Sequence, residues 1–498
     1  MGAVRIANTC FGLVLCAAVA AALPAQTFTT LQSFDNTDGA SPYATLVQAA
    51  NGTFYGTTQW GGVDGIGTVF GITPGGSLTA LDSLVCYYLC GAGIGAAALV
   101  QATNGDFYGT TQWGGTGSRC LYGCGTIFKI TPGGTLTTLH SFNVGDGNGP
   151  IGGLVQGTDG DLYGTTSSGG AYGLGTVFKI SPTGTLTTLY SFCSQSGCID
   201  GAAPIAGLIQ ASDGDFYGTN GADGAHGSGT IFKITARGKL TTLYSFCAQA
   251  ECADGSYPAS RLVQAADGDF YGTTLQGGTN PGGAPFGGGT AFKITPGGAF
   301  TTLYSFCSRK GCADGQYPSG ISQATDGNFY GTTAGTTYKT TYGGDANEYG
   351  TIFKLSPGGT LTTLYNFCAQ AACTDGQLPG AGLVQSTSGD FYGTTAGGGT
   401  NTTCGTQGCG TVFRLSVGLG PFVETQPTSG KAGMPIKILG TDLTGVSGVS
   451  FNGTPAAFTV LSPSLVKATV PSGATSGTVQ VVTSHRTLSS NTAFRVAP

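Results

Sequence analysis

LVQGTDGDLYGTTSSGGAYGLGTVFKISPTGTLTTLYSF, residues 154–192, holds four short β-patterns in thirty-nine residues. LVQGT is an apolar run that ends at Asp159-Gly160, a hairpin turn signal. DLYGTT follows as a second strand, and a glycine-rich loop leads to TVFKI as a third. Pro182-Thr183-Gly184 then turns the chain into LTTLYSF, a fourth. The runs are rich in Thr, Val, Ile, Phe and Tyr and alternate with period two, as half-buried strands do.

The pattern recurs along the chain. The tyrosine of the second strand returns at Tyr55, Tyr108, Tyr163, Tyr217, Tyr271, Tyr330 and Tyr392, and the third-strand phenylalanine at Phe70, Phe128, Phe178, Phe232, Phe292, Phe353 and Phe413. Seven four-stranded antiparallel units predict an all-β protein, a seven-bladed β-propeller. Fourth strands follow units one to six, whereas unit seven lacks one. Its copy stands at the other end of the chain, as Phe28–Phe34. The N-terminal strand is therefore expected to complete the last blade and to remove two open sheet edges.

Composition agrees. Glycine is 91 of 498 residues and charged residues are 9%, against a usual ~25%. The formal net charge of −5 excludes a basic nucleic-acid footprint. With 40% hydrophobic residues the chain is not a charge-rich disordered one.

Residues 1–25 place Arg5 before an apolar run, Phe11–Leu23, and then small residues, the plan of a secretory signal peptide cleaved after Ala25. No later stretch is long and apolar enough to span a bilayer, so a secreted or cell-surface protein, monomeric and without a membrane span, is expected. The remaining cysteines fall into seven close pairs: Cys86 with Cys90, Cys120 with Cys124, Cys193 with Cys198, Cys247 with Cys252, Cys307 with Cys312, Cys368 with Cys373 and Cys404 with Cys409. In an exported chain they read as local disulfides rather than zinc ligands.

These features resemble the Gloeo/Verruco tandem-repeat family of exported bacterial proteins, also called choice-of-anchor repeats, over about residues 26–416. The resemblance rests on the D-G-(D/N)-F-Y-G-T-T and G-T-(V/I)-F-K-I segments, and it implies no defined activity. After a linker at 417–421, residues 422–498 read as short strands. They resemble the IPT/TIG domain, an immunoglobulin-like β-sandwich, through Pro427–Gly430, Ile438–Leu443, Val449–Ala456 and Val470–Gly473. That resemblance implies an extracellular interaction or spacer module. The short glycine-containing linker predicts some mobility between the two parts.

In an up-and-down unit the tight Asp-Gly and Pro-Gly turns share one end. The long loops and all mature cysteines share the other, where binding residues usually sit. Residues that break the repeat there are the candidates: Trp60 and Trp113, expected side by side, with Tyr122, Tyr172, His226, Tyr342 and Tyr349. Exposed aromatic rings suit stacking on a polysaccharide or on an extracellular protein. A second set, Asp38, Asp146, Asp200, Asp254, Asp314 and Asp375, lies in Asp-Gly-x-x-Pro segments. It could ring the central mouth and hold Ca²⁺, or simply shape turns. Catalytic signals are sparse: three Glu, three His and no nucleophile motif. A carbohydrate-binding or protein-binding surface protein is expected, the alternatives being a polysaccharide-active lyase or glycosidase and a non-catalytic envelope or matrix component.

Overall fold

The computed structural model describes residues 26–84, 95, 97–117, 119–280, 287–335 and 349–497. Up to Ser416 these residues form seven four-stranded antiparallel sheets in a propeller-like arrangement. Unit three is representative: Val155–Gln156, Leu162–Thr166, Thr176–Ile180 and Leu186–Ser191 pair in chain order. The third and fourth strands run from Thr176↔Ser191 to Ile180↔Leu186, with a bulge between Val177 and Phe178 that leaves Leu189 unpaired.

Strand Thr27–Ser33 pairs antiparallel with Thr411–Ser416 and repeats that irregularity. Its register shifts between Thr30 and Gln32, leaving Leu31 where Leu189 stands in unit three. A shared bulge is a stronger sign of equivalence than pairing alone, because it fixes both register and twist.

Packing between units comes from the same repeated residues. The Tyr163 ring stacks on Phe216 of the next unit at 3.9 Å, and Tyr217 stacks on Phe270 at 4.0 Å. Tyr392 of unit seven meets Phe54 of unit one at 4.0 Å in the same way. Gly164 and Gly218 sit between leucine and phenylalanine tips, where a Cβ would come within 2.7 Å of both. That approach accounts for the recurring glycine of F-Y-G-T.

A second linkage runs along the turn end. Each unit carries a glutamine at the close of its first strand, and its Oε1 accepts a backbone N–H from the preceding unit's turn. The links are Ala50→Gln101, Thr103→Gln156, Thr158→Gln210, Ser212→Gln264, Ala266→Gln323, Thr325→Gln385 and Thr387→Gln48, at 2.8–3.1 Å. The last runs from unit seven back to unit one.

The C-terminal module contains two four-stranded sheets. Glu424–Gln426, Pro435–Leu439, Leu465–Thr469 and Phe458–Ser462 make one; Thr454–Pro455, Val446–Phe451, Val479–Thr483 and Thr487–Ser489 make the other, in the order of neighbours. Ile436, Ile438, Phe451, Val466, Val481 and Phe494 fill the space between them.

The linker leaves the module in hydrogen-bonding contact with the repeat region. It rests on the turn end of the repeat region. Lys437 Nζ donates to Thr103 O at 3.1 Å, Ser464 Oγ to Ala50 O at 3.1 Å, and Arg495 to Ser212 O, while Thr387 and Thr441 share a hydroxyl contact at 2.9 Å. These partners belong to the turns of units one, two, four and seven, so one module touches turns all round that end.

Glu424 lies in the first strand of this module, and burial pushes its carboxyl up to about 7. The sign is that of a penalised charge: the folded state holds the proton more tightly than the unfolded one. Stability is therefore full below the unfolded value near 4.5 and falls as pH rises toward 7. Glu424→Gln should leave the melting temperature near pH 4 almost unchanged. At pH 8 it should stabilise by about 1–3 kcal/mol, read as a higher Tm than the parent in paired melts. Equal melts at pH 8 would show that the carboxylate is adequately solvated.

Candidate functional site

The long-loop end is built by backbone conformation. Residues ahead of the first-strand proline adopt positive φ in six units: Ser41, Gly149, Ala203, Tyr257, Tyr317 and Leu378, with φ between 51° and 66°. Bulky residues rarely take this conformation, and Tyr257 and Tyr317 both hold it at 56°. The return is a bond between units. Tyr257 N donates to Ser228 O at 3.0 Å, Tyr317 N to Gly288 O at 2.9 Å, and Ser41 N to Cys409 O at 2.9 Å. The chain is thereby stitched at this end as the glutamines stitch it at the other.

A cleft of about 480 Å³ opens between units seven and one. Its walls include Trp60, Tyr43, Leu378, Asn36, Ser41 and Gln407. Trp60 is held by its backbone: its N–H donates to Ala40 O at 3.0 Å and its carbonyl accepts from Ala40 N at 2.7 Å. Gly61 and Gly62 follow at φ +81° and +80°, and a Cβ on Gly61 would meet Asn36 O at 2.5 Å, so the loop needs glycine there. The indole is 36% exposed and the Tyr43 ring 49%. Equivalent bridge positions in units three, four, five and seven are Ser168, Ala222, Gln276 and Gly397, so the ring is a local departure from the repeat.

Trp113 occupies the matching backbone site, its carbonyl accepting from Thr111 Oγ1 as that of Trp60 does from Thr58. The two indoles are not brought together. Trp113 is partly buried and packs edge-on against Tyr122 at 6.3 Å, while Trp60 faces unit seven. Tyr172 stands exposed on the unit-three loop and His226 on the unit-four loop. Tyr349 is exposed beside the cleft, its carbonyl accepting from Leu378 N at 2.8 Å. Tyr342 lies outside the described residues. Of the sequence candidates, Trp60 lines the cleft. Tyr43, Tyr257 and Tyr317 were missed: they sit next to first-strand prolines, inside segments that read as turns.

The Asp-Gly-x-x-Pro aspartates turn inward. Asp254 is fully buried and accepts from Tyr244 Oη at 2.8 Å, Ala248 N at 3.0 Å and Gln249 N at 3.2 Å. Asp200, Asp314 and Asp375 repeat the arrangement with Tyr190, Tyr304 and Tyr365. These four carboxylates pin the cysteine loops to the fourth strand and do not face a common mouth. Asp146 binds His140 and Asn143, and Asp38 binds the Asp35 backbone while burial raises its carboxyl to about 6. Among the described residues, no three His, Cys, Asp or Glu side chains converge as a metal site would require.

Six cysteine pairs bring their sulfurs to disulfide distance. They are Cys120 with Cys124, Cys193 with Cys198, Cys247 with Cys252, Cys307 with Cys312, Cys368 with Cys373, and Cys404 with Cys409. Each pair closes a short local loop, with the two cysteines four or five residues apart. In units three to six the second cysteine, Cys198, Cys252, Cys312 or Cys373, ends a short 3-10 turn, and the first, Cys193, Cys247, Cys307 or Cys368, follows the fourth strand. Cys124 instead stands just before the third strand of unit two, as Cys409 does in unit seven. The cysteines of those two units therefore staple the loop between second and third strands, whereas the others staple the connection to the next unit. Cys86 and Cys90 lie outside the described residues.

The recurring lysines also have partners. Lys233 contacts Asp213 and Asp215, both at 2.9 Å, and Lys293 contacts Asp267 and Asp269 at 3.1 and 2.6 Å. This ladder lies toward the turn end, away from the cleft.

Sheets and cleft together define an all-β repeat protein with an immunoglobulin-like companion module. Residues 95–337 match the Gloeobacter/Verrucomicrobia repeat and residues 423–496 match the IPT/TIG domain. No curated protein matches the chain. Among solved structures, the chain is similar to a gluconolactonase from Xanthomonas campestris, with 13% identity, TM-score 0.36, and 80% of this chain and 92% of that one covered. It is also similar to a protein of unknown function from Bacteroides thetaiotaomicron, with 14% identity, TM-score 0.40, and 79% and 76% covered. A luciferin-regenerating enzyme follows at 11% identity and TM-score 0.39, with 80% and 98% covered.

Proposed function

We propose that residues 26–416 form one closed seven-bladed propeller, joined through 417–421 to the C-terminal module at 422–498, and that the exported protein binds polysaccharide through the cleft on its long-loop face. The cleft carries the reading: two exposed rings, Trp60 and Tyr43, stand beside the amides of Asn36 and Gln407. Rings that stack on a sugar face, flanked by a few amides that fix its hydroxyls, are a common recognition pattern. The location adds support. The opposite end already carries the C-terminal module, which leaves the loop face to a ligand. Closure is supported by the shared bulge of the N-terminal strand and by the glutamine bond from unit seven to unit one. Export is supported by the local cysteine pairs, which suit an oxidising compartment.

A glycan array probed with residues 26–498, printed with peptides on the same surface, tests the reading. Glycans should be retained, and Trp60→Ala with Tyr43→Ala should weaken binding about tenfold or more, since each stacked ring contributes about 0.5–1.5 kcal/mol beyond area. Both side chains are exposed, so the melting temperature should hardly move. Retention of peptides alone would shift the reading to a protein-binding surface. Unchanged glycan binding in the double variant would place the site elsewhere on the loop face.

A further inference from the structure

One position of the first-strand segments carries a charged residue in a single unit. The residue before the innermost leucine is Thr45, Ala98, Gly153 and Gly207 in units one to four and Gly382 in unit seven, but Arg261 in unit five. Exposure alternates along the segment that leads into the Val263–Gln264 strand: Tyr257 and Arg261 are exposed and Ala259 half-buried, whereas Pro258, Ser260 and Leu262 are buried. Leu262 and Ser260 pack into the sheets, so Tyr257, Ala259 and Arg261 face the axis that the first strands surround. Small residues make the room there: a Cβ on Gly207 would come 2.7 Å from Gly153 O.

Arg261 Nε donates to Leu208 O of the neighbouring unit at 3.1 Å. Among the described residues, its two Nη groups meet no acceptor and no carboxylate pairs with it. Its side chain is exposed, and its place on the inner segment turns that exposure toward the axis, with protein around it. That surrounding protein draws the guanidinium below the ordinary arginine value, though such a group stays charged at any ordinary pH. A guanidinium with no carboxylate beside it is free to pair with an anionic ligand.

We propose that Arg261 makes the axis of the ring a carboxylate site, entered from the long-loop mouth. The inference rests on the closed ring and goes beyond the cleft reading by adding a charged subsite. The turn end carries the C-terminal module, so the loop end is the way in. Tyr257 marks that end four residues before Arg261. A lone guanidinium with two free N–H edges matches a singly charged, planar carboxylate in bidentate fashion. A phosphate would call for further cations or a backbone nest, and the other units' first strands offer neither Lys nor Arg at this level. A sugar acid supplies such a carboxylate.

The test is a calorimetric and NMR titration of residues 26–498 at low salt with sodium acetate, sodium D-glucuronate and D-glucose. Acetate and glucuronate should bind with millimolar affinity and glucose at least tenfold more weakly. Arg261→Gln should weaken both acids at least tenfold. Failure of the parent to bind acetate, or equal acetate binding by Arg261→Gln, would overturn the proposal. If Arg261→Gln does not fold, Arg261→Lys decides: at least threefold weaker acetate binding supports the fork geometry, and unchanged affinity overturns it. An array without glycan hits would remove the cleft reading yet leave the acetate result standing, so the two failures are told apart.

Discussion

Deletion of residues 26–34 should lower the melting temperature by about 10 °C or more and drive the protein to self-associate. The strand Thr27–Ser33 supplies the outer edge of the last sheet, and Phe34 just after it is fully buried. The Phe28 ring stacks on Tyr365 at 3.9 Å and lies 5.3 Å from Phe413. Removing a buried phenylalanine side chain costs about 3–5 kcal/mol by itself. Deletion also exposes the backbone edge of Thr411–Ser416, which would invite pairing with another chain. Phe34→Ala alone should account for several degrees of the loss, measured by thermal melting with light scattering as the monitor of association. A peptide of residues 26–34 added in trans should restore part of the stability. A deletion variant that melts with the parent and stays monomeric would mean that the ring does not depend on this strand.

That strand was legible because it is a displaced copy of a repeat, and the four-strand pattern was legible because alternation and turn residues recur about every fifty-four residues. What could not be read was convergence across units. The glutamines stand in plain view as V-Q or I-Q in most units, but each finds its partner in another unit, fifty to sixty residues away or, for Gln48, 339, and nothing local marks it as a link. The same holds for Trp60 and Trp113. Equivalent positions in a repeat predict equivalent backbones, which the structure shows. They do not predict equivalent surroundings, because loops of different length stand beside them. Unit two offers Tyr122 to its indole, whereas the neighbour of unit one is unit seven. Tyr43 and Tyr257 were hidden in segments that looked like turns, and their exposure follows from left-handed residues and strand alternation at the rim. Arg261 was visible as a break in the first-strand pattern, yet its meaning depends on which way that strand faces.

The buried aspartates give the second large effect. Asp254→Ala should destabilise by about 3–5 kcal/mol, because the Tyr244 hydroxyl and the Ala248 and Gln249 amides would lose their shared acceptor inside the fold. Asp254→Asn keeps one oxygen and replaces the other with a donor that faces donors, so it should fall between Ala and the parent. Tyr244→Phe removes one bond and leaves the carboxylate its two amides, for a cost of about 1–2 kcal/mol. The contrast is Asp213→Ala. That carboxylate also meets a tyrosine, Tyr217, and Lys233 at 2.9 Å, but its side chain is 39% exposed. Water can replace the partners there, and the loss should stay below about 1 kcal/mol. Thermal melts of the four variants at neutral pH give the order directly. The physical distinction is between an acceptor that orders a cysteine loop from within and one that decorates a turn. If Asp254→Ala melts with Asp213→Ala, the buried carboxylates are not what holds the loops, and their recurrence in units three to six would again need a ligand to explain it, Ca²⁺ first among them.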